Sequence, residues 1–173
     1  MGIRKSVKAN DSGITEELLH KLFRYSDGKL YWRSRGKGRD FNSPVGSLQP
    51  DGYLIATFCG FRCAVHRIIF IIHNGPTNNI IDHIDGNRLN NYPNNLRECT
   101  NSENNMNKKS RMNTSTGIKG LYFCGTGRDK PWRSTVWANR KIQFQKYFED
   151  KEEALIELNK ARKEHHKEFA NNG

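Results

Sequence analysis

The sequence predicts an α+β protein built from two small domains joined by a basic linker. Between residues 80 and 107, a strand, a polar loop, a second strand and a helix follow one another. Between residues 117 and 165, three β-rich segments precede one amphipathic helix. The chain has 173 residues, which is room for two modules that each bury a modest core. We therefore predict domains over residues 14–105 and 117–173, with the linker over 106–116.

The first domain is predicted to follow a disordered basic arm, residues 1–13, which lacks apolar periodicity. A helix begins after Thr15, whose hydroxyl suits a cap, and ends at Asp27-Gly28. The next elements are a strand, a flexible basic loop, the two strands of a hairpin turning at Gly60 and a short buried helix, predicted at residues 29–33, 35–39, 53–58, 62–65 and 66–73. The Gly, Arg and Lys residues of the loop suit either a phosphate clamp or a plain surface turn.

The most informative stretch begins with Asp82-His83, at the end of a short apolar strand. Asp85-Gly86-Asn87 then supplies turn chemistry, and residues 96–100 can return as the second strand. A helix follows, capped by Thr100 or Asn101. This order brings a carboxylate and an imidazole to one hairpin, with amide side chains on the helix behind it.

These groups suit phosphodiester hydrolysis. Imidazole titrates near neutral pH, so His83 can take a proton from an attacking water. The oxygens of Asp82 and Asn104 suit one hard divalent cation, Mg²⁺ or Mn²⁺, better than a closed zinc site, which would need more Cys or His. The competing interpretation is an Asn-rich polar loop without chemistry.

The same residues resemble a known family, the HNH endonucleases with a ββα-metal fold, and among them the phage and intron homing type. The matching segments are residues 65–70, 82–87, 90–91, 95–97 and Asn104. The resemblance, which covers about residues 15–107, implies that His83 is the general base and that Asp82 and Asn104 hold the metal. It also implies that Asn95 fastens the loop so that His83 points at the scissile phosphate. For His66, at the start of the preceding helix, packing and phosphate contact both remain open.

The second domain is predicted to form strands at residues 117–123, 132–139 and 141–148, followed by a helix from Lys151 that Asp150 caps. On the second strand, alternation places Ser134, Val136 and Ala138 toward the helix, and Arg133, Thr135, Trp137 and Asn139 away from it. The segment resembles the AP2-type DNA-binding domain at Gly117, Gly120, Trp132-Arg133-Ser134, Phe148 and Glu152-Glu153-Ala154. It departs from that family at Gln145-Lys146-Tyr147, where a Leu-Gly pair is common. The resemblance implies a sheet that reads DNA.

The net charge of the chain also indicates DNA as the partner. The formal net charge is +11, which suits a polyanion, and residues 108–173 carry more of the excess than residues 1–107. We predict contacts with double-stranded DNA from Arg35, Lys37, Arg39, His66, Arg67, Lys108, Lys109, Arg111, Arg128, Arg133, Thr135, Trp137 and Arg140. For the linker cations, a solvated linker without DNA contact is the alternative.

The four cysteines are widely spread and predict free thiols in a reducing cytoplasm, with a metal knuckle at Cys59 and Cys63 as the alternative. The longest apolar run, residues 68–72, is too short to cross a membrane. We expect a phage-encoded, site-specific DNA endonuclease that acts as a nicking monomer without an obligate protein partner. A DNA-binding regulator on an inactive HNH fold is the alternative, and an RNA target is a weaker one.

Overall fold

The computed structural model describes the backbone of residues 5–6 and residues 14–36, 40–108 and 116–170. Helices alternate with small, mainly antiparallel sheets, which confirms the predicted α+β class. The chain divides into two compact units, Met1–Cys99 and Thr100–Gly173. This boundary precedes the domain boundary predicted after residue 105, so the helix that follows Thr100 belongs to the second unit.

The first unit surrounds one apolar helix. Its elements are β1 (Lys5–Ser6), α1 (Glu16–Leu22), β2 (Phe23–Ser26), β3 (Lys29–Trp32), β4 (Ser47–Leu48), β5 (Leu54–Phe58), β6 (Phe61–Ala64), α2 (Val65–Asn74), β7 (Ile80–His83) and β8 (Leu96–Cys99). One sheet has the strand order β1-β6-β5-β4, and β2-β3 and β7-β8 are separate hairpins. The strand β1 pairs in parallel with β6, so two residues of the arm predicted to be disordered form a strand. The rest of that arm lies outside the described residues.

The predicted first helix is too long. The Thr15 hydroxyl accepts a hydrogen bond from the Leu18 N–H and caps α1 as expected, but α1 ends at Leu22. The next four residues form β2, which pairs with β3. Asp27 and Gly28 both have positive φ, 49° and 72°, and form the two-residue turn of this hairpin. The Asp-Gly pair was therefore a hairpin signal and not a helix stop.

Helix α2 holds the β7-β8 hairpin in place. Ile68 and Ile69 on α2 are fully buried, and Ile81 of β7 and Leu96 of β8 belong to the same apolar core. One apolar residue from each strand therefore anchors the hairpin, which leaves its neighbouring polar residues available to build a site.

The second unit consists of α3 (Asn101–Asn107), β9 (Leu121–Phe123), β10 (Trp132–Ala138), β11 (Lys141–Phe148) and α4 (Lys151–His166). The three strands form an antiparallel sheet in the order β11-β10-β9. Asp150 caps α4 by accepting a hydrogen bond from the Glu153 N–H at 2.9 Å, as the sequence predicts. Val136 of β10 and Leu158 of α4 lie in the core between sheet and helix, and the Ser134 hydroxyl donates to the Ala154 carbonyl at 2.6 Å.

Two boundaries differ from the prediction at the linker. Helix α3 includes Met106 and Asn107, which are buried and not part of a solvated linker. The first strand begins at Leu121 and not at residue 117, because Gly117 and Gly120 adopt left-handed φ of 68° and 78° that a strand cannot contain. Residues 109–115 of the predicted linker lie outside the described part of the chain.

None of the four cysteines, all of which lie in the described part of the chain, forms a disulfide. Among the residues that the structure describes, no helix is long and apolar enough to cross a membrane.

Candidate active site

The β7-β8 hairpin carries the predicted carboxylate and imidazole on adjacent residues at the end of β7. Asp82 pairs with Arg97 across the hairpin, and His83 pairs with Leu96. The Arg97 guanidinium lies 3.4 Å from the Asp82 carboxylate and forms an ion pair with it. The hairpin register therefore sets a cation beside the carboxylate that the sequence assigns to metal binding.

His83 is buried, with only 2% of its surface exposed. Its Nε2 lies 2.9 Å from Oδ1 of Asn91, which is also 2% exposed. Because an amide oxygen only accepts hydrogen bonds, Nε2 carries the proton of the neutral ring, and the ring lone pair lies on Nδ1. Asn91 thus selects the tautomer in which Nδ1 is the basic atom.

The loop between the two strands is held by Asn95, which lies just before β8. Its Oδ1 accepts from the Asp85 N–H at 3.1 Å, and its Nδ2 donates to the Asp85 carboxylate at 3.0 Å and to the Asn90 carbonyl at 2.8 Å. Partial burial opposes ionisation of Asp85, but hydrogen bonds from Asn90, Asn95 and Asn87 outweigh it and hold the pKa of that carboxyl below its ordinary value. The ionised carboxylate and the amide together close the loop that contains Asn91.

An aromatic cluster packs against His83. The His66 ring lies 4.8 Å from the His83 ring, and Tyr53 lies 5.2 Å from His66. Burial, with smaller contributions from His83 and Arg67, lowers the pKa of His66 to about 3. The ring of His66 is therefore neutral at physiological pH, and its contacts support packing over phosphate contact.

Asn104 lies on α3 in the second unit, whereas Asp82, His83 and Asn95 lie in the first. Its helix begins with a capping box, in which the Thr100 hydroxyl accepts from the Glu103 N–H and the Glu103 carboxylate accepts from the Thr100 N–H. The sequence prediction of a cap at Thr100 or Asn101 is thereby resolved in favour of Thr100.

The residues assigned to the metal fit a hard cation by donor type. Asp82 offers a carboxylate oxygen, and Asn104 offers an amide oxygen, both of which Mg²⁺ and Mn²⁺ accept. Among the described residues, no three His, Cys, Asp or Glu side chains form a group that could hold a metal by themselves. Cys59 and Cys63, the alternative metal site, form no such group among these residues.

The predicted DNA contacts in the first unit have different environments. Arg35 is exposed and stacks on the Phe41 ring at 4.9 Å. Arg67 instead donates to the backbone carbonyls of Asn79, at 2.8 Å, and Thr77, so it ties α2 to the segment before β7. Four further predicted contacts lie outside the described residues: Lys37, Arg39, Lys109 and Arg111.

In the second unit, Lys108, Arg128 and Arg140 are exposed as expected, and Trp137 is 54% exposed. Arg133 is partly buried and stacks on the Tyr122 ring at 4.7 Å.

Thr135, predicted to contact DNA from the face of β10 turned away from the helix, is buried, with only 6% of its surface exposed. Residues of α3 and β10 line one cleft together, and Thr135 is among them. Helix α3 lies beside this face of the sheet, so both faces of β10 are covered at this position.

Sequence reasoning missed three residues that build the site around His83. Asn91 fixes the imidazole tautomer, Arg97 pairs with Asp82, and Arg88 stacks on Tyr53 at 4.8 Å. The available signal was the Asn90-Asn91 pair, which the family resemblance includes. Spacing alone did not show which of the two amides reaches the imidazole.

Comparison with known proteins agrees with this geometry. The HNH endonuclease family model matches residues 63–106, a range that runs from β6 through the hairpin into α3. Protein 3.8 of Escherichia phage T7 is 37% identical over 107 residues, which are 61% of this chain and 86% of that relative. No solved structure matches the chain significantly. On its matched motif and this phage relative, the chain belongs to the HNH endonuclease family.

Proposed function

We propose that the protein is a site-specific, metal-dependent DNA endonuclease of the homing type. The observation that carries the proposal is the pair of Asn91 and His83, in which a buried amide oxygen holds the imidazole proton on Nε2. The same histidine follows Asp82 directly at the end of β7, so a basic nitrogen and a carboxylate lie on neighbouring residues. The pair is the arrangement that a general base requires.

In the proposed reaction, a water oxygen attacks the phosphorus of the scissile phosphodiester. The water proton passes to Nδ1 of His83, and the bond from phosphorus to the 3′ oxygen breaks. Asn91 keeps Nε2 protonated, and Asn95 holds the loop that presents Asn91. These two amides therefore give the imidazole one orientation.

Asp82 and Asn104 would hold one divalent cation, Mg²⁺ or Mn²⁺. When bound, such a cation stabilises the negative charge that develops on the phosphate and the leaving oxygen. A carboxylate is the stronger ligand of the two because it is charged, so Asp82 contributes more to affinity than the neutral Asn104.

The second unit is proposed to be an AP2-like module that selects the cleavage site. Its sheet carries Trp137, more than half exposed, and Arg133, whose guanidinium lies over the Tyr122 ring. Arg can make two hydrogen bonds to guanine, and exposed aromatic rings pack on sugars and thymine methyl groups. The exposed cations Arg128, Arg140 and Lys108 then suit phosphate contacts.

The test is to incubate the purified protein with a library of genomic DNA fragments in Mg²⁺ and to sequence the new ends. The proposal predicts ends at one or a few sequences, with 5′-phosphate and 3′-hydroxyl termini. Uncut DNA that is nevertheless bound at defined sequences would favour the non-cleaving regulator. Ends scattered without sequence preference would refute site specificity but not hydrolysis.

A further inference from the structure

The C-terminal end of α3 is held by a single ammonium group. The Lys119 Nζ donates to the backbone carbonyls of Asn105 at 2.7 Å, Met106 at 2.8 Å and Lys108 at 2.9 Å. An ammonium has three N–H donors, and each one here donates to a different backbone carbonyl. Carbonyls at the C-terminal end of a helix have no hydrogen-bond partner within the helix. Lys119 thus acts as a C-terminal cap contributed from outside the helix.

The backbone of Lys119 is itself held by helix α4. Arg162 on α4 is 2% exposed and donates to the backbone carbonyl of Lys119. Near the start of α3, the Ser102 hydroxyl accepts a hydrogen bond from the backbone N–H of Asn139, in the turn after β10, at 3.1 Å. Polar contacts therefore tie both ends of α3 to the sheet and its helix.

Apolar packing contributes little to this attachment. Only Met106 and Asn107 of α3 are buried, and α3 and β10 line a cleft of about 730 Å³. A short helix with two buried residues has little apolar area to hold it in place. The polar contacts of Lys119 and Ser102 therefore add to the packing that restrains α3.

We propose that Lys119 is a positioning residue that fixes α3, and with it the metal ligand Asn104, to the DNA-reading sheet. The inference rests on the proposed function, because it assigns a purpose to Asn104 that only a metal-dependent nuclease needs. Lys119 itself touches neither substrate nor metal.

The test compares Lys119→Met, which removes the ammonium but keeps the chain length, with Lys160→Met on an exposed position of α4. Each full-length variant is titrated with Mg²⁺ in a DNA cleavage assay, and DNA affinity is measured separately. We expect Lys119→Met to need roughly tenfold more Mg²⁺ for half-maximal cleavage with unchanged DNA affinity. Lys160→Met should match the unsubstituted protein. An unchanged Mg²⁺ requirement in Lys119→Met would overturn the inference.

A double variant shows whether the effect passes through Asn104. If Lys119 acts by positioning Asn104, then Asn104→Ala and Asn104→Ala with Lys119→Met should require the same Mg²⁺ concentration. Additive effects would mean that Lys119 acts elsewhere. Ser102→Ala is a smaller change, and it removes the hydrogen bond between α3 and Asn139. It should raise the Mg²⁺ requirement less than Lys119→Met does, and it provides a second test if Lys119→Met folds poorly.

Hydrogen exchange separates this inference from the proposed function, because it needs no cleavage. The amides of Asn104 and Lys108 donate within α3 and should exchange at least about tenfold faster in Lys119→Met, while amides of β10 stay protected. Unchanged exchange in α3 would overturn the inference even in an active nuclease. Faster exchange in α3, in a protein that cleaves no DNA, would refute the proposed function. It would support only the structural part of the inference, which is that Lys119 holds α3 in place.

Discussion

Replacing Asn91 with Ala removes the acceptor of the His83 Nε2 proton. Both side chains are 2% exposed, so water has little access to replace the lost oxygen. Leaving a buried N–H without a partner costs about 1–3 kcal/mol, and we expect the free energy of unfolding to fall by that amount. The same change removes the preference for the Nε2 tautomer. Since 1.36 kcal/mol is tenfold in rate, cleavage should fall by about five- to 150-fold.

The assay is single-turnover cleavage of a DNA substrate, with stability measured by urea unfolding. Asn94→Ala is the matched control, since Asn94 is an exposed amide in the same loop, and it should leave both quantities unchanged. DNA affinity should be equal in all three proteins. If Asn91→Ala cleaves within twofold of the unsubstituted protein while His83→Ala is inactive, Asn91 does not set the tautomer.

A charged replacement at the same position tests the sign of the effect. Asn91→Asp places a carboxylate beside Nε2, which favours the doubly protonated imidazolium. That form cannot accept a proton from water, so the acidic limb of the pH-rate profile should move to higher pH by about 1–3 units. A limb at the same pH, or one moved to lower pH, would contradict the assignment of His83 as the base.

Three further variants test the remaining parts of the account. Asp82→Ala should abolish cleavage at ordinary Mg²⁺ concentrations while DNA affinity is retained, as measured by titrating Mg²⁺ and by gel shift; activity at the usual Mg²⁺ would exclude Asp82 as a ligand. The pKa of His66 is lowered to about 3, so the unfolded chain binds more protons between that pH and 6.5. Stability should therefore be lost as pH falls through this window, and His66→Phe should flatten the profile by up to about 1.4 kcal/mol per pH unit in urea unfolding. Arg133→Ala should reduce the free energy of DNA binding by about 1–3 kcal/mol at one or two base pairs if Arg133 reads bases. If binding to all sequences weakens equally and the slope of log affinity against log salt concentration becomes smaller by about one, Arg133 contacts a phosphate.

The hairpin of β7 and β8 and the helix after it could be predicted because local signals agreed there. The turn residues near Gly86, the apolar residues of both strands and the Thr100 cap each indicate the same order of elements. The end of α1 could not be predicted, since Asp27-Gly28 suits either a helix stop or a hairpin. The pairing of residues 23–26 with β3 decides for the hairpin, and the sequence of these four residues alone does not show that pairing.

The site was predictable in its chemistry but not in its contacts. Asp82 and His83 follow from residue type and spacing, whereas the bond from His83 to Asn91 depends on how the loop closes. The burial of Thr135 depends on α3, whose attachment through Lys119 leaves no periodic pattern in the sequence. Which polar side chains of separate elements meet depends on the three-dimensional arrangement of those elements and not on a repeating sequence pattern. These contacts could therefore not be predicted from the sequence.

We propose above that His83 activates water for cleavage of DNA with the help of a divalent metal. The most direct measurement follows supercoiled DNA that contains the mapped site, with Mg²⁺ or with chelator, for the unsubstituted protein and His83→Ala under single-turnover conditions. We expect nicked circles only with Mg²⁺, and a cleavage rate for His83→Ala that is on the order of 10²–10⁴-fold lower at equal DNA binding. Cleavage in chelator, or a His83→Ala rate equal to that of the unsubstituted protein, would contradict it.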